Sequence, residues 1–224
     1  MKKIFIVGGN GFARECYNNL INLEEYGKEV ILGGFLGHGG YGHTVDYKTY
    51  QHLYLGEVSE YKFKDDEYCI IGAGYPKLRR KIYEDLKLMN AKFYTLICRG
   101  VYLSKSFEYG EANIFVYPFL SSVNINVGIG NVFNGDVIIG HDSTIGDFNF
   151  FGPRSQVLGN VKVGNNNTIG ANVILLPNSK VGNNNDIAPL SAVYKGCKNN
   201  CYMQGNPALK IGDIEQWLYQ NSIM

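Results

Sequence analysis

Hydrophobic residues recur at every sixth position through the second half of the chain. The twelve positions of this series are all apolar: Val127, Phe133, Ile139, Ile145, Phe151, Val157, Val163, Ile169, Leu175, Val181, Ile187 and Val193. The residue after each is usually Gly, and the residue four positions on is compact, either Asn, Ser or Val. A period of six fits neither the 3.6-residue helix nor the two-residue strand. It is typical of hexapeptide repeats and predicts a parallel β-helix.

The spacing also predicts how the coils are built. Each hexad forms one short strand and one corner, with the large and the compact residue both facing inward, and with Gly or Asn adopting the unusual backbone angles of the turn. Three hexads complete a triangular coil, and coils stack at about 4.8 Å. Residues eighteen apart therefore lie above one another. A solenoid with a purely structural role is compatible with this pattern.

The first half of the chain has a different pattern. Apolar runs predict strands at residues 3–7, 30–36, 67–71 and 92–97, and helix-like spacing predicts helices at residues 12–23 and 77–89. This alternation predicts a small Rossmann-like α/β unit with a parallel sheet, whereas residues 37–61 are expected to form a loop. We expect two domains, 1–97 and 98–224, with a transition near residues 98–109. Residues 194–210 leave the hexad pattern, and a short helix is expected at 214–219.

Composition excludes several classes of protein. The 224 residues carry 21 basic and 20 acidic side chains, which favours neither nucleic acid nor an anionic membrane as a partner. Five cysteines form no paired spacing, and Cys197 and Cys201 lack the further ligands of a zinc site, so free thiols in a reducing cytoplasm are expected. The apolar run at residues 4–7 is too short for a signal peptide or a membrane span.

A glycine-rich turn follows the first predicted strand. Gly8, Gly9, Asn10 and Gly11 precede a helix, and backbone amides at such a turn are typical of a phosphate site. Arg14 stands where a dinucleotide motif has a third small residue, and no acidic residue ends the second strand. NAD is therefore disfavoured, and a nucleoside diphosphate fits better. The alternative is that the glycines only permit a tight turn.

His141 is the one histidine within the repeat. It lies two residues after Ile139, at a corner, and is expected to point outward. Gly159 follows eighteen residues later, so its backbone amide should stack beside His141 and could stabilise an oxyanion while His141 acts as a base. Asp142 could fix the imidazole tautomer if the corner geometry brings the carboxylate back to the ring.

Four segments resemble one family of enzymes. They are residues 8–15 (GGNGFARE), 74–79 (GYPKLR), 139–148 (IGHDSTIGDF) and 205–208 (GNPA). The chain resembles bacterial sugar O- and N-acyltransferases that join a nucleotide-binding α/β domain to a left-handed parallel β-helix. These include sialic-acid O-acetyltransferases and acetyltransferases of nucleotide-linked amino-deoxy sugars.

The resemblance implies a cytoplasmic homotrimer with active sites between neighbouring prisms, acetyl-CoA as co-substrate and no metal. His141 would be the general base, Asp142 its partner, Gly159 the oxyanion donor, and Asn134 a residue near the reacting groups. Implied contacts of coenzyme A are Gly159, Ile169, Gly170, Pro177, Gly205, Asn206, Pro207 and Ala208. Implied contacts of a nucleotide-linked sugar are Gly8, Gly9, Asn10, Gly11, Phe12, Phe35, Gly37, His38, Gly74, Tyr75 and Lys77.

The chain also departs from the family. Phe12 stands where many relatives have His, Gly37 and His38 where many have two acidic residues, and Cys98-Arg99 where His-Pro is common. Because a nucleotide-binding domain precedes the prism, we expect direct N-acetylation of a UDP- or dTDP-linked amino sugar, with O-acetylation of a sugar hydroxyl or a non-catalytic trimeric scaffold as alternatives. A carbonic-anhydrase-like zinc site would need three histidines, and the repeat has one.

Overall fold

The computed structural model describes residues 1–39 and 50–214. The chain divides into two compact units, Met1–Arg99 with Glu111–Asn113, and Gly100–Gly110 with Ile114–Met224. His43 lies outside the described residues. The helix expected at 214–219 also lies outside them, apart from Ile214. Within residues 1–39 and 50–214, no helix combines the length and the apolar character needed to cross a bilayer.

The first unit is a parallel α/β structure, as predicted. Its sheet strands are β1 (Lys2–Val7), β2 (Val30–Gly37), β3 (Tyr54–Glu57), β4 (Glu67–Ile71) and β5 (Lys92–Phe93), and its helices are α1 (Gly11–Ile21) and α2 (Pro76–Leu88). The strand order is β3-β2-β1-β4-β5, and every pair is parallel. The central strand β1 is apolar from Ile4 to Val7 because it is covered on both faces, and these side chains have no exposed surface.

Two predictions for this unit were wrong in detail. Residues 92–97 form two strands, β5 and β6 (Leu96–Ile97), and only β5 continues this sheet. Residues 37–61, expected to be a loop, contain β3 and 3₁₀ turns at Gln51–Leu53 and Val58–Glu60. The strand β3 lies at the sheet edge, where Leu55 is half exposed, so its sequence lacks the buried alternation by which strands are recognised.

The second unit is a left-handed parallel β-helix with three walls, as predicted. Wall 1 consists of β7 (Phe107–Tyr109), β10 (Ile125–Val127), β13 (Thr144–Ile145), β16 (Lys162–Val163), β19 (Lys180–Val181) and β22 (Gly196–Cys197). Wall 2 consists of β8 (Ile114–Phe115), β11 (Val132–Phe133), β14 (Phe150–Phe151), β17 (Thr168–Ile169), β20 (Asp186–Ile187) and β23 (Cys201–Gly205). Wall 3 consists of β9 (Phe119–Ser121), β12 (Val137–Ile139), β15 (Gln156–Val157), β18 (Ile174–Leu175) and β21 (Ala192–Val193). A final strand, β24 (Ala208–Asp213), pairs antiparallel with β23.

The interior of the prism is filled by the predicted residues. All twelve large apolar residues of the series are buried, with at most 5% of their surface exposed. Phe115, Phe133 and Phe151 stack along wall 2 with ring centroids 5.1 and 4.8 Å apart. These columns hold successive coils at one spacing through continuous apolar contact.

The compact position holds a buried asparagine ladder. Asn131, Asn149, Asn167 and Asn185 are stacked eighteen residues apart and are almost fully buried. The Nδ2 of Asn149 donates to the Oδ1 of Asn131 at 3.0 Å, and Asn167 repeats this bond to Asn149 at 2.9 Å. Asn149 and Asn167 thereby find partners in the coils on either side, as a polar group in a dry interior requires, whereas the Nδ2 of Asn185 has no hydrogen-bond partner among the described residues.

The corners differ from the prediction. Positive φ falls on the third residue after each large apolar residue, for example Asp142 (+57°), Asn160 (+58°) and Asn178 (+65°), not on the glycine that directly follows it. That glycine is needed for a different reason, since a Cβ on Gly140 would lie 2.6 Å from the carbonyl carbon of Leu158. The glycines therefore allow close stacking of coils rather than unusual backbone angles.

The solenoid is longer than its hexad pattern. The pairing of Phe107 with Ile125 adds an earlier coil, which the pattern hides because Ser121 takes the place of a large residue. At the other end Asp186 pairs with Tyr202, so the last coil has a register of sixteen residues instead of eighteen. The walls thus continue after Val193, although the spacing changes there as predicted.

Candidate active site

The corner between walls 3 and 1 carries His141 and Asp142. The strand β12 ends at Ile139, and the positive φ of Asp142 turns its side chain back toward the preceding residue. As a result, the Oδ2 of Asp142 lies 2.8 Å from the Nδ1 of His141. Both side chains are more than half exposed, so the pair lies at the surface of the subunit.

The carboxylate of Asp142 is held in its charged form. The hydrogen bond with His141 and a second one from the Nδ2 of Asn124 (3.0 Å to Oδ1) lower the pKa of Asp142. A charged carboxylate at Nδ1 favours the tautomer with the proton on that nitrogen. In a neutral ring, Nε2 is then free to accept a proton, which is the arrangement needed for general-base catalysis.

The ring of His141 lies directly against Gly159. The strands β12 and β15 pair Ile139 with Val157, which places Gly159 one coil above His141. A Cβ on Gly159 would lie 2.5 Å from Nε2 and 2.7 Å from Cε1 of the imidazole. Only glycine at this position leaves room for the ring, as the predicted stacking required.

The amide of Gly159 is left open by its neighbours. At the corner between walls 1 and 2, the equivalent amides of Ile129, Asp147 and Asn165 donate to the side-chain oxygen one coil further on, at 2.9, 2.6 and 2.7 Å. For Gly159 the residue one coil on is Pro177, which has no side-chain acceptor. Among the described residues, no acceptor is bonded to this N–H, so it can bind an incoming oxygen.

The predicted coenzyme A contacts lie on two corners. His141, Gly159 and Pro177 form one column at the corner between walls 3 and 1, whereas Asn134 and Gly170 belong to the corner between walls 2 and 3. One subunit therefore does not bring Asn134 to the corner of His141.

Ile169 and the 205–208 turn differ in their exposure. The side chain of Ile169 has no exposed surface and belongs to the core of the prism, which leaves its backbone as the part that could meet a ligand. The predicted tail residues Gly205, Asn206, Pro207 and Ala208 form the turn between β23 and β24, where Asn206 and Pro207 are exposed.

In the first unit, the predicted glycines lie at the carboxyl ends of neighbouring strands. Gly8, Gly9, Asn10 and Gly11 follow β1, and residues 72–75, with Gly74 and Tyr75, follow β4. The chain runs from β1 to β2 on one side and reaches β4 on the other, so this is the topological switch point where α/β sheets bind ligands. No side chain caps the start of α1, and its first turn has no acidic residue, so the amides there suit an anion.

Close packing explains two of these glycines. Gly8 has a φ of +130°, and a Cβ there would lie 3.0 Å from the carbonyl oxygen of Gly72. A Cβ on Gly37 would overlap the carboxylate of Glu57 and lie 2.8 Å from the hydroxyl of Tyr54. Both positions thus have a packing reason to be glycine, whatever ligand binds nearby.

The other predicted sugar-binding residues fall into different environments. Phe35 has no exposed surface and packs between Tyr17 and Tyr50, with ring centroids at 5.9 and 6.3 Å, so its placement in the core does not support the predicted contact. Phe12 is half-buried, and Lys77 is exposed on the first turn of α2.

His38 is buried beside a hollow. Its Nε2 lies 2.9 Å from the Oδ2 of Asp85, which also accepts from Lys81 at 3.1 Å. Burial opposes ionisation of Asp85, but these hydrogen bonds and charges outweigh it and lower the pKa of the carboxyl. Together with Glu57 and Ser59, these residues line a hollow of ≈ 310 Å³ with both donors and acceptors in its walls.

Arg79 is a site residue that the sequence reasoning missed. Its guanidinium is 1% exposed and donates to the carbonyl oxygens of Ile71, Ala73 (3.0 Å) and Ala112 (2.6 Å), while burial lowers its pKa to about 10. It therefore fixes the backbone that leads from β4 into the turn at Gly74. The sequence does contain a sign of this role. Arg79 lies on the apolar face of α2 with Ile82 and Leu86, and a charged side chain buried there needs hydrogen-bond partners.

The described part of the chain offers no cluster of three or more His, Cys, Asp or Glu side chains able to hold a metal ion. All five cysteines are free thiols, and burial raises the pKa of Cys197 to about 12. A thiol with that pKa is a poor nucleophile at neutral pH.

Comparison with known proteins adds to this geometry. Residues 142–176, which begin within the His141–Asp142 pair, match the family described as bacterial transferase hexapeptide (six repeats). No curated protein matches the chain by sequence.

Solved structures share the fold over both units. The acetyltransferase domain of PglB from Neisseria gonorrhoeae, in complex with acetyl coenzyme A, has a TM-score of 0.81 at 17% identity and covers 94% of this chain and 99% of its own. A variant of perosamine N-acetyltransferase from Caulobacter crescentus, with CoA and GDP-perosamine, has a TM-score of 0.84 at 17% identity and covers 95% and 98%. WeeI from Acinetobacter baumannii has a TM-score of 0.75 at 17% identity and covers 94% and 100%.

Proposed function

We propose that this protein is an acetyl-CoA-dependent N-acetyltransferase that acts on the amino group of a nucleotide-linked amino-deoxy sugar. The observation that carries this proposal is the His141 ring, held by Asp142 and lying against Gly159, whose amide is uncapped. A base and an oxyanion donor on neighbouring coils are the two groups that acyl transfer from a thioester needs.

The proposed reaction is a direct transfer. Nε2 of His141 removes a proton from the acceptor nitrogen as that nitrogen attacks the thioester carbonyl carbon. The N–H of Gly159 donates to the oxyanion that forms. When the oxyanion collapses, the carbon–sulfur bond breaks and the protonated His141 returns its proton to the departing thiolate. No cysteine is placed beside His141, so the chain offers no thiol there for an acyl-enzyme.

Acetyl-CoA is proposed as the donor on two grounds. PglB and perosamine N-acetyltransferase, which share the fold, were solved with acetyl coenzyme A and with CoA. In this chain, the column of His141, Gly159 and Pro177 gives a surface without large side chains at its centre, suited to a narrow chain such as pantetheine.

The acceptor is proposed from the first unit. Its switch point supplies uncapped amides for a diphosphate, and the neighbour with bound GDP-perosamine carries a nucleotide-linked sugar. Our specific proposal is a UDP- or dTDP-linked amino sugar, as the resemblance of the sequence implies. Gly37 and His38 stand where that family commonly has an acidic pair, and His38 lines a hollow with Asp85, so the base and ribose contacts should differ from those of relatives.

We also propose a cytoplasmic homotrimer. Asn134 and His141 lie at different corners of one prism, so they meet only where two prisms adjoin. Wall 3 presents the apolar residues Leu120 and Ile138 outward, 51% and 38% exposed, whereas wall 1 presents the polar residues Asn126 and Thr144 in the same two coils. An apolar outer wall is typical of a surface that is covered on assembly.

The test is thiol release from acetyl-CoA with a panel of UDP-, dTDP- and GDP-linked amino sugars and their hydroxyl counterparts. Wild-type protein should release thiol with an amino sugar, and His141→Ala should lower kcat by about a hundredfold or more because the base is lost. An unchanged kcat for His141→Ala would remove His141 from that role. Release only with hydroxyl acceptors would identify an O-acetyltransferase, and no release with any acceptor would contradict the proposal.

A further inference from the structure

The corner of His141 carries a column of residues with left-handed backbone. Asn124, Asp142, Asn160 and Asn178 are stacked eighteen residues apart, with φ of +56°, +57°, +58° and +65°. The Nδ2 of Asn160 donates to the Oδ1 of Asn178 at 2.7 Å, and the Nδ2 of Asn124 donates to the Oδ1 of Asp142 at 3.0 Å. Asparagine is common at such positions because it tolerates positive φ and can bond to the next rung.

Asp142 interrupts this asparagine column. An ionised carboxylate only accepts hydrogen bonds, so it cannot donate to the rung above as an asparagine would. Instead its two oxygens are divided: Oδ1 accepts from Asn124 and Oδ2 contacts the Nδ1 of His141 at 2.8 Å. The plane of the carboxylate is thereby fixed at both ends, and the orientation of the imidazole follows from it.

The side chain of Asn124 is not required by the backbone of its corner. The backbone amide of Asn124 donates to the Oγ of Ser106 at 2.9 Å, and the amide of Asp142 donates to the carbonyl of Val123 at 3.0 Å. Neither bond uses the carboxamide. The carboxamide makes the same kind of contact with the next rung as Asn160 and Asn166 do, but here the acceptor is the carboxylate that contacts His141.

We propose that Asn124 is a positioning residue for acetyl transfer: by holding Oδ1 of Asp142, it fixes the carboxylate that orients the base His141. This inference rests on the proposed function of His141. It extends the pair of His141 and Asp142 to a chain of three groups across two coils.

The decisive variant is Asn124→Gly, which accepts positive φ without strain and removes the carboxamide with its donor. We expect kcat/KM to fall about tenfold, the ratio that corresponds to about 1.4 kcal/mol for a lost hydrogen bond to a charged group. The loss should appear in kcat, while KM for acetyl-CoA and the melting temperature stay close to those of the wild type.

A matched control is Asn166→Gly at another corner. Asn166 also has positive φ (+58°), and its Nδ2 donates to the Oδ1 of Asn184 at 3.2 Å, but it does not contact Asp142. It should keep wild-type kcat. An equal loss in both variants would mean that the ladder acts only through the fold, and would overturn the proposal.

A second readout does not depend on turnover. The ¹⁵N NMR shifts of the His141 ring report which nitrogen carries the proton, and the wild type should show the Nδ1–H tautomer. Asn124→Gly should reduce the population of that tautomer, and Asn166→Gly should not. Unchanged rates and an unchanged tautomer in Asn124→Gly would refute the role of Asn124. An inactive wild type would instead refute the proposed function, and the tautomer would still decide the role of Asn124.

Discussion

At the scale of single residues, the site depends on the absence of side-chain atoms at some positions as much as on the side chains of His141 and Asp142. Gly159 has no side chain, so the ring of His141 can lie against its Cα, and Pro177 has no side-chain oxygen with which to cap the Gly159 amide. Leu158, the residue before Gly159, also excludes a cap on this amide. At the corner between walls 1 and 2, the capping Oδ1 of Asn183 lies 2.5 Å from the position that a Cβ on Gly164 would occupy, so the residue before a capped amide must be glycine.

Gly159→Ala tests this arrangement. The new methyl would occupy the position 2.5 Å from Nε2 and displace the imidazole, so we expect kcat to fall about a hundredfold or more. The control is Gly212→Ala, because a Cβ on Gly212 meets no atom within 4 Å. Steady-state kinetics of both variants decide the matter, and a Gly159→Ala enzyme with wild-type kcat would show that the ring does not act from this position.

Sequence spacing predicted part of this site. The eighteen-residue period placed Gly159 beside His141 correctly, because the register depends only on counting along the chain. The return of Asp142 to the ring depends on its positive φ, and the residue type alone does not fix the sign of φ for an aspartate. Asn124 was missed for the same reason, since its contact arises from that turn.

At the scale of elements, the compact inward position carries two kinds of polar residue with opposite expected effects. Asn167 is bonded on every side: its Nδ2 donates to the Oδ1 of Asn149 and the carbonyl of Gly182, both at 2.9 Å, and its Oδ1 accepts from the amide of Asn185 at 2.8 Å. The Oγ of Ser155 is also buried but has no hydrogen-bond partner among the described residues.

Asn167→Ala should destabilise the protein by about 2–4 kcal/mol, because it removes three buried hydrogen bonds and leaves the amide of Asn185 without its acceptor, although the Oδ1 of Asn149 keeps the bond from the amide of residue 167. Ser155→Ala removes an unpaired hydroxyl of similar volume and should stay within about 0.5 kcal/mol of the wild type. Denaturant unfolding of both variants measures the difference. Equal stabilities would mean that the asparagine ladder does not hold the coils together.

The hexad pattern predicted the middle coils of the β-helix more reliably than its first and last coils. Within residues 127–193, every large residue of the series faces inward as predicted, because each coil has the same geometry and therefore requires the same type of residue at the same position. The first coil was missed where Ser121 replaces a large residue, and the last where the register shortens to sixteen. Terminal coils pack against a neighbour on one side only, so the pattern is relaxed there.

At the scale of the whole molecule, one prism carries only part of the proposed site. Wall 3 carries the exposed apolar residues Leu120 and Ile138, and Asn134 and His141 lie at different corners. No sequence pattern within one chain can state which corner of a second copy lies nearby, since that depends on the geometry of assembly. The fold could therefore be predicted from the chain, whereas the complete site could not.

Ile138→Glu should convert a trimer to smaller species, because it places a charge at the centre of the apolar outer wall. Activity should fall in parallel and depend on protein concentration. Lys180→Glu on wall 1 changes charge at an equivalent outward position and should leave the assembly intact. Sedimentation velocity with parallel rate measurements tests this, and a wild-type protein that sediments as an active monomer would contradict the trimer.

The eighteen-residue register has a consequence for how such a chain can change in length. Insertion of one complete turn of the prism leaves every later side chain on its original face, directly above its former neighbour. Insertion of six residues instead rotates everything downstream by a third of a revolution, and insertion of one exchanges interior for exterior. Length variants that keep both the reacting groups stacked and every other wall in place should therefore leave residues 141–178 unchanged in length and differ by multiples of eighteen residues within the coils before or after them.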